Sequence, residues 1–203
     1  MKRIIAFLAI ILLSSTAYCS YAQKISFDRI ESDGVRHIGT EGREESLENA
    51  KYKFSLTVFA NSYRKNYYLL VSSLYTIDND CIILVKLGND EVKYLTLNNV
   101  NHSLIDWPSA QPIIGSNGIS WAYGTQKADY YVGLFTLTEN DLNDIATYGI
   151  KKIRIKYYSK YFEKSWKKDK LGKYLKKCHE KIEKQLLNPN YRSQSSKSIF
   201  EDF

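Results

Sequence analysis

Cys178 and His179 stand side by side in "LGKYLKKCHEKIEKQLL", residues 171–187. A thiol beside an imidazole is the raw material of a cysteine nucleophile. The spacing removes that chemistry, because the segment has helical periodicity and successive helical residues point about 100° apart. A nucleophilic Cys178 would need His37 or His102 as its base, and no cysteine-hydrolase motif surrounds it. The same spacing gathers Leu171, Tyr174, Leu175, Cys178, Ile182 and Leu186 into one apolar stripe, with Lys170, Lys173, Lys177, Lys181 and Lys184 on a flank. The segment therefore reads as an amphipathic helix that covers a core. Cys81 opens "CIILVKL", a strand with the composition of a buried one. In an oxidising compartment Cys81 and Cys178 form either a disulfide that staples the helix to the sheet or two buried thiols.

Two groups of residues suit binding better than catalysis. Lys152, Arg154 and Lys156 alternate outward along "IKKIRIKYY", and with Lys173, Lys177 and Lys181 they offer a basic face. Such a face attracts an anionic lipid headgroup, the phosphates of a lipopolysaccharide or an acidic glycan. Charge on the wet side of a helix also serves solubility alone. The second group is Trp107, Trp121 and Tyr123, set among the prolines and glycines of residues 104–124. Aromatic rings on a loop stack on a neutral sugar or anchor a protein partner, another envelope protein among them. Salt separates the two readings, since it screens the first and spares the second.

A third reading is a hydrolase whose site is assembled from distant strands. Glycoside hydrolysis requires two carboxylates across a cleft, whereas Asp78 with Asp80 and Asp90 with Glu91 fall in turns, where the backbone favours such residues anyway. A glycine-rich phosphate loop, a zinc spacing, an HExxH helix, a GxSxG elbow and a calcium loop are all missing from the sequence. His37, His102 and His179 are scattered, so neither a metal nor a cofactor is expected. The reading that the residues favour is a non-enzymatic binding module that uses the basic face for an anionic envelope or glycan ligand, with the aromatic segment 104–124 as the alternative.

The elements that would position these groups are mostly strands. Period-2 runs bounded by Gly, Asn and Asp fill the middle of the chain. "KISFDRI" and "VRHIGT" flank Asp33-Gly34 as a hairpin; "YKFSLTVFA" and "NYYLLVSSLY" follow, then "CIILVKL" and "EVKYLTL" around Gly88-Asn89-Asp90. Residues 99–127 read as a long irregular loop, and "DYYVGLFTL" as a central strand. Thr138 with Asp141 caps a short helix that Gly149 ends. A helical period from about Tyr161 to Leu187 predicts a long C-terminal helix. The expected fold is mostly β (α+β), a β-sandwich or strongly bent antiparallel sheet covered by that helix.

The ends bear on location. "MKRIIAFLAIILLSSTAYCSYAQ" has the charged start, apolar run and small-x-small exit of a secretory signal peptide over residues 1–22. Cys19 offers a competing lipidation site, disfavoured by the bulky Tyr18 before it. No later apolar run reaches the roughly 20 residues of a membrane-spanning helix. Loss of Lys2 and Arg3 lowers the formal charge from +7 to +5, moderately basic and short of what a nucleic-acid binder carries. The expectation is an exported protein, periplasmic or secreted, with one domain over residues 23–187 and a polar tail over 188–203 of disordered composition.

The order in "LTENDLNDIATYGIKKIRI" is an aromatic strand, a short acidic helix and then Gly-Ile-Lys-Lys-Ile-Arg-Ile. It resembles a segment of small exported β-rich proteins of Gram-negative anaerobes, as does the leader ending in Ala-Gln. The likeness extends over about a third of the chain. It implies an exported β-rich fold and carries over no functional residue.

Overall fold

The structure is a computed structural model, and it describes residues 24–115, 118–158 and 160–188. The expected leader over residues 1–22, Cys19 included, and residues 189–203 of the polar tail lie outside the described residues. Ten strands form one antiparallel sheet: β1 (Ile25–Ile30), β2 (Arg36–Thr40), β3 (Arg43–Leu47), β4 (Ala50–Ala60), β5 (Lys65–Ser73), β6 (Ile82–Leu87), β7 (Val92–Gly115), β8 (Gly118–Leu137), β9 (Ile150–Tyr157) and β10 (Lys160–Ser165). Two helices join them, α1 (Glu139–Tyr148) and α2 (Leu171–Leu186).

The spatial order is β1-β2-β4-β5-β8-β7-β6-β9-β10, with β3 beside β2 on the same edge of β4. The expected hairpins form. Gly34 takes the positive φ (79°) that the β1–β2 turn requires, and Asp33 Oδ1 accepts the Val35 N–H at 2.9 Å. β7 changes partner along its length. It pairs with β6 as far as Thr96, and a bulge between Leu97 and Asn99 turns it onto β8.

The sheet bends until its parts meet. On β10, Lys164 Nζ donates to Glu45 Oε2 of β3 at 2.6 Å, and Phe162 lies 5.8 Å from the Tyr52 ring of β4. One main core fills the bend, with Phe54, Leu56 and Val58 of β4, Ile83 and Val85 of β6 and Ile153 and Ile155 of β9 all buried. The cap of α1 forms as the sequence predicts: Thr138 Oγ1 accepts the Asp141 N–H at 3.1 Å, and the Asp141 carboxylate accepts the Thr138 N–H at 2.9 Å.

Two expectations are corrected, and one alternative is decided. The C-terminal helix is 16 residues long and begins at Leu171, because residues 160–165 form β10. Residues 99–115 and 118–127 belong to the paired strands β7 and β8 and not to a loop. Of the two readings of Cys81 and Cys178, the structure has the buried free thiols and not the disulfide. The Cys178 thiol, on the buried face of α2, is hydrogen-bonded with Thr40 and Tyr174, whereas Cys81 lies in the field of Asp78 and Tyr52. The buried stripe of α2 is otherwise as expected, with Leu171, Tyr174, Leu175, Cys178 and Ile182 inside.

Candidate functional site

β7 and β8 leave the sheet together. From Ser103↔Tyr130 to Gly115↔Gly118 they make 13 successive pairs with each other, while β5 pairs with β8 only from Tyr131 onward. At about 3.4 Å per residue this ribbon is an arm roughly 40 Å long. Its aromatics do not form one patch. Antiparallel partners share a face and successive residues alternate, so Trp107 (opposite Gln126) and Tyr130 (opposite Ser103) lie on one face. Trp121 (opposite Pro112) and Tyr123 (opposite Ala110) lie on the other, 56% and 82% exposed.

The Trp107 face turns toward the body at the foot of the arm and closes a cleft of about 290 Å³. Tyr52, Tyr75, Trp107 and Tyr130 supply its aromatic walls, and Glu44, Asn49, Lys51, Lys53, Ser72 and Ser73 its polar groups. Many of these groups are held in place. Tyr130 Oη donates to Ser72 Oγ at 2.8 Å, Ser73 Oγ donates to the Lys51 carbonyl at 2.8 Å, and the Tyr75 N–H donates to Ser73 Oγ at 3.0 Å. Tyr75 stacks on Tyr52 with ring centroids 6.3 Å apart. Burial pushes the Tyr52 phenol well above its ordinary range, so it stays a neutral hydroxyl at any physiological pH. Lys51 Nζ sits 3.0 Å from Glu44 Oε1, which balances charge at the rim. Trp107 keeps 39% of its surface exposed, enough to present an indole face to a ligand.

The basic residues separate as well. Lys152 and Arg154 meet Lys86 in a groove of about 250 Å³ over Leu84 and Val92. Glu163 on β10 stands directly across from Arg154 and lies 2.6 Å from both Lys152 Nζ and Arg154 Nη2. Its bonds to Lys152 and then to Arg154 hold its carboxyl below the usual carboxylate range. The Arg154 guanidinium also covers the Tyr161 ring at 4.4 Å. Lys156, one step along, is exposed beside Tyr161. Lys173, Lys177 and Lys181 are exposed on α2, which packs on β2, β4 and α1 and does not line this groove. The two basic rows are therefore two surfaces and not one.

The sequence reading missed Tyr52, Tyr75, Tyr130, Ser72 and Glu44 as cleft residues. They lie on β3, β4, on β8, and on and just after β5, and only the pairing of those strands brings them together. Among the described residues no cluster of three or more His, Cys, Asp or Glu is placed to hold a metal ion, and no helix is long and apolar enough to cross a membrane. Comparison with protein-family models, curated proteins and solved structures finds no match.

Proposed function

We propose that this chain is an exported binding module whose cleft at the foot of the arm takes a neutral saccharide unit. The observation that carries the reading is Trp107, a half-exposed indole facing Tyr52, Tyr75 and Tyr130 across a space edged by fixed hydroxyls and an amide. A sugar ring presents C–H groups on its faces and hydroxyls around its rim. An aromatic wall suits the faces, while Asn49, Ser72, Ser73 and Glu44 suit the rim. A cleft near 300 Å³ is at the small end of ligand sites, the size of one or two sugar rings rather than a long chain. The leader over residues 1–22 would deliver such a module to the periplasm or beyond, as the likeness to exported β-rich proteins also implies.

The test is a titration of neutral oligosaccharides followed by tryptophan fluorescence at low and high salt. Binding should be the same in both, because stacking does not depend on a screened charge. Trp107→Ala should abolish it and Trp121→Ala should leave it unchanged. Binding that salt removes, or that survives Trp107→Ala, would overturn the assignment.

A second reading rests on the groove in which Lys86, Lys152 and Arg154 converge, with Lys156 exposed beside it. It would take an anionic headgroup or a lipopolysaccharide phosphate, although Glu163 already neutralises part of its charge. Binding to vesicles of anionic lipid that disappears at high salt and in the Lys152→Gln, Arg154→Gln double variant would favour it.

A further inference from the structure

We propose that the outer edge of β8 is a self-association edge, on which the arm of a second copy of this chain pairs antiparallel to make a four-stranded ribbon. This goes beyond the saccharide reading and uses a different part of the arm. The first argument is stability. A two-stranded ribbon standing in water is marginal alone and becomes secure with further strands, yet here 13 pairs project with no third strand among the described residues. Long edges of this kind are ordinarily blunted by lysine, proline or a bulge.

The two edges of the arm differ in that respect. β7 carries Pro108 and Pro112, four residues apart and therefore of the same parity. Proline has no N–H to give, so in a strand it occupies positions whose N–H would point away from the neighbour. Both prolines thus blunt the outer edge of β7. β8 has no proline from Gly118 to Leu137, and its one lysine there, Lys127, stands near the foot of the arm with its ammonium 2.7 Å from Asp106 Oδ1. The parity set by Pro108↔Thr125 and Pro112↔Trp121 turns the backbone groups of odd-numbered β8 residues outward. From Tyr131 onward that row is taken by β5; from Ile119 to Asp129 it has no partner strand among the described residues.

Charge then selects the occupant. The chain has a net charge of +7, but residues 107–126 contain no Asp, Glu, Lys, Arg or His. Two like-charged bodies repel, and the uncharged outer part of each arm, beyond Asp106, Lys127 and Asp129 at its foot, is where they meet with least of that cost. An anionic partner would find on the β8 side of the arm only Lys127, whose ammonium is already paired with Asp106. Antiparallel pairing of β8 with its copy about Gly124 overlaps residues 118–130 in full. It sets Tyr123 opposite Thr125 of the second copy, and Trp121 opposite Lys127 of the second copy, a cation–π pair that symmetry repeats. Each copy meets the other along the 13 described residues 118–130 of β8, with β7 on the far side of the ribbon.

The experiment is sedimentation of the exported protein from low to high micromolar concentration. A reversible dimer that persists at high salt is expected. Thr125→Pro removes an outward N–H while keeping the bonds to β7, and should give a monomer with an unchanged circular dichroism spectrum and thermal midpoint. Gly124→Cys should cross-link to its own copy on oxidation, because residue 124 faces itself across the two-fold axis within disulfide reach; Gln126→Cys should not. A monomer at every concentration, or a dimer indifferent to Thr125→Pro, overturns the proposal. Saccharide binding through Trp107 is read separately, so neither result decides the other.

Discussion

Glu45 of β3 is a buried carboxylate held between two cations, one from its own strand and one from β10. Its side chain is 5% exposed, and it accepts from Arg43 Nε and from Lys164 Nζ, each at 2.6 Å. Burial pushes its carboxyl up, but the bonds and charges of Lys164 and Arg43 outweigh burial, and the group titrates below its ordinary range. A carboxyl with a folded pKa below its unfolded one contributes stability above the unfolded value and loses it as pH falls through the folded value. The fold should therefore weaken below about pH 4. Lys164→Met should cost about 1.5–3 kcal/mol at neutral pH, the worth of a hydrogen bond to a charged group, and should move acid unfolding to higher pH. Acid titrations that superimpose for the two proteins would show the pair to be idle. The same pair hid two strands in the sequence. In β10, Lys164 points inward opposite Ile153 while Tyr161 points outward under Arg154, so polar and apolar positions are exchanged. In β3, Glu45 occupies the inward position, and "REESL" shows almost no apolar alternation. At Cys81, burial raises the thiol to about 12, and burial raises Cys178 as well. Both thiols should resist iodoacetamide until denaturant is added, and fast labelling of the native protein would place either one at the surface.

At the scale of elements, α2 was legible because its period of 3.6 survives every local exception. Its buried stripe is the predicted one. Its start was not legible, since the charged inward Lys164 and the aromatic outward Tyr161 allow a helical reading of residues 161–170. Its end is fixed from a distance. Arg36 of β2 donates from Nη2 to the Gln185 carbonyl at 3.1 Å, while its Nε and Nη2 grip Asp28 at 2.9 and 2.7 Å, and Gln185 Nε2 returns to Asp28 at 2.7 Å. No local signal could reveal a helix cap supplied 149 residues away. Leu175→Ala, at a buried position, should cost about 2–5 kcal/mol. The Lys173→Gln, Lys177→Gln, Lys181→Gln triple variant should stay within about 0.5 kcal/mol per substitution of wild type, as exposed sites do. Chemical denaturation of both measures the contrast; a triple variant as damaged as Leu175→Ala would mean that the lysines are not a solvated flank.

On the scale of the whole molecule, the chain divides into a bent sheet that encloses the main core and an arm that stands outside it. Local hairpins were legible from their turns, but the joining of β5 to β8 and of β6 to β9 rests on residues about 60 to 70 positions apart, which no turn chemistry announces. The arm was misread for a related reason. Its prolines and glycines break strands in a sheet interior, yet an edge strand accepts them where no N–H is needed. Because the 13 pairs of the arm are made only within it, the body should not depend on them. Ser103 and Tyr130 lie directly opposite, so residues 104–129 can be replaced by Asn-Gly, which closes a two-residue hairpin. The shortened chain keeps the whole of the β5–β8 and β6–β7 ladders. Its thermal midpoint should lie within about 4 °C of wild type, the shift expected from roughly 1 kcal/mol in a chain of this size. Its proton spectrum should retain the dispersion of a packed core, while saccharide binding disappears along with Trp107. A shortened chain that fails to fold would show that the arm helps to hold the sheet closed; one that folds and still binds the sugar would move the site away from the foot of the arm.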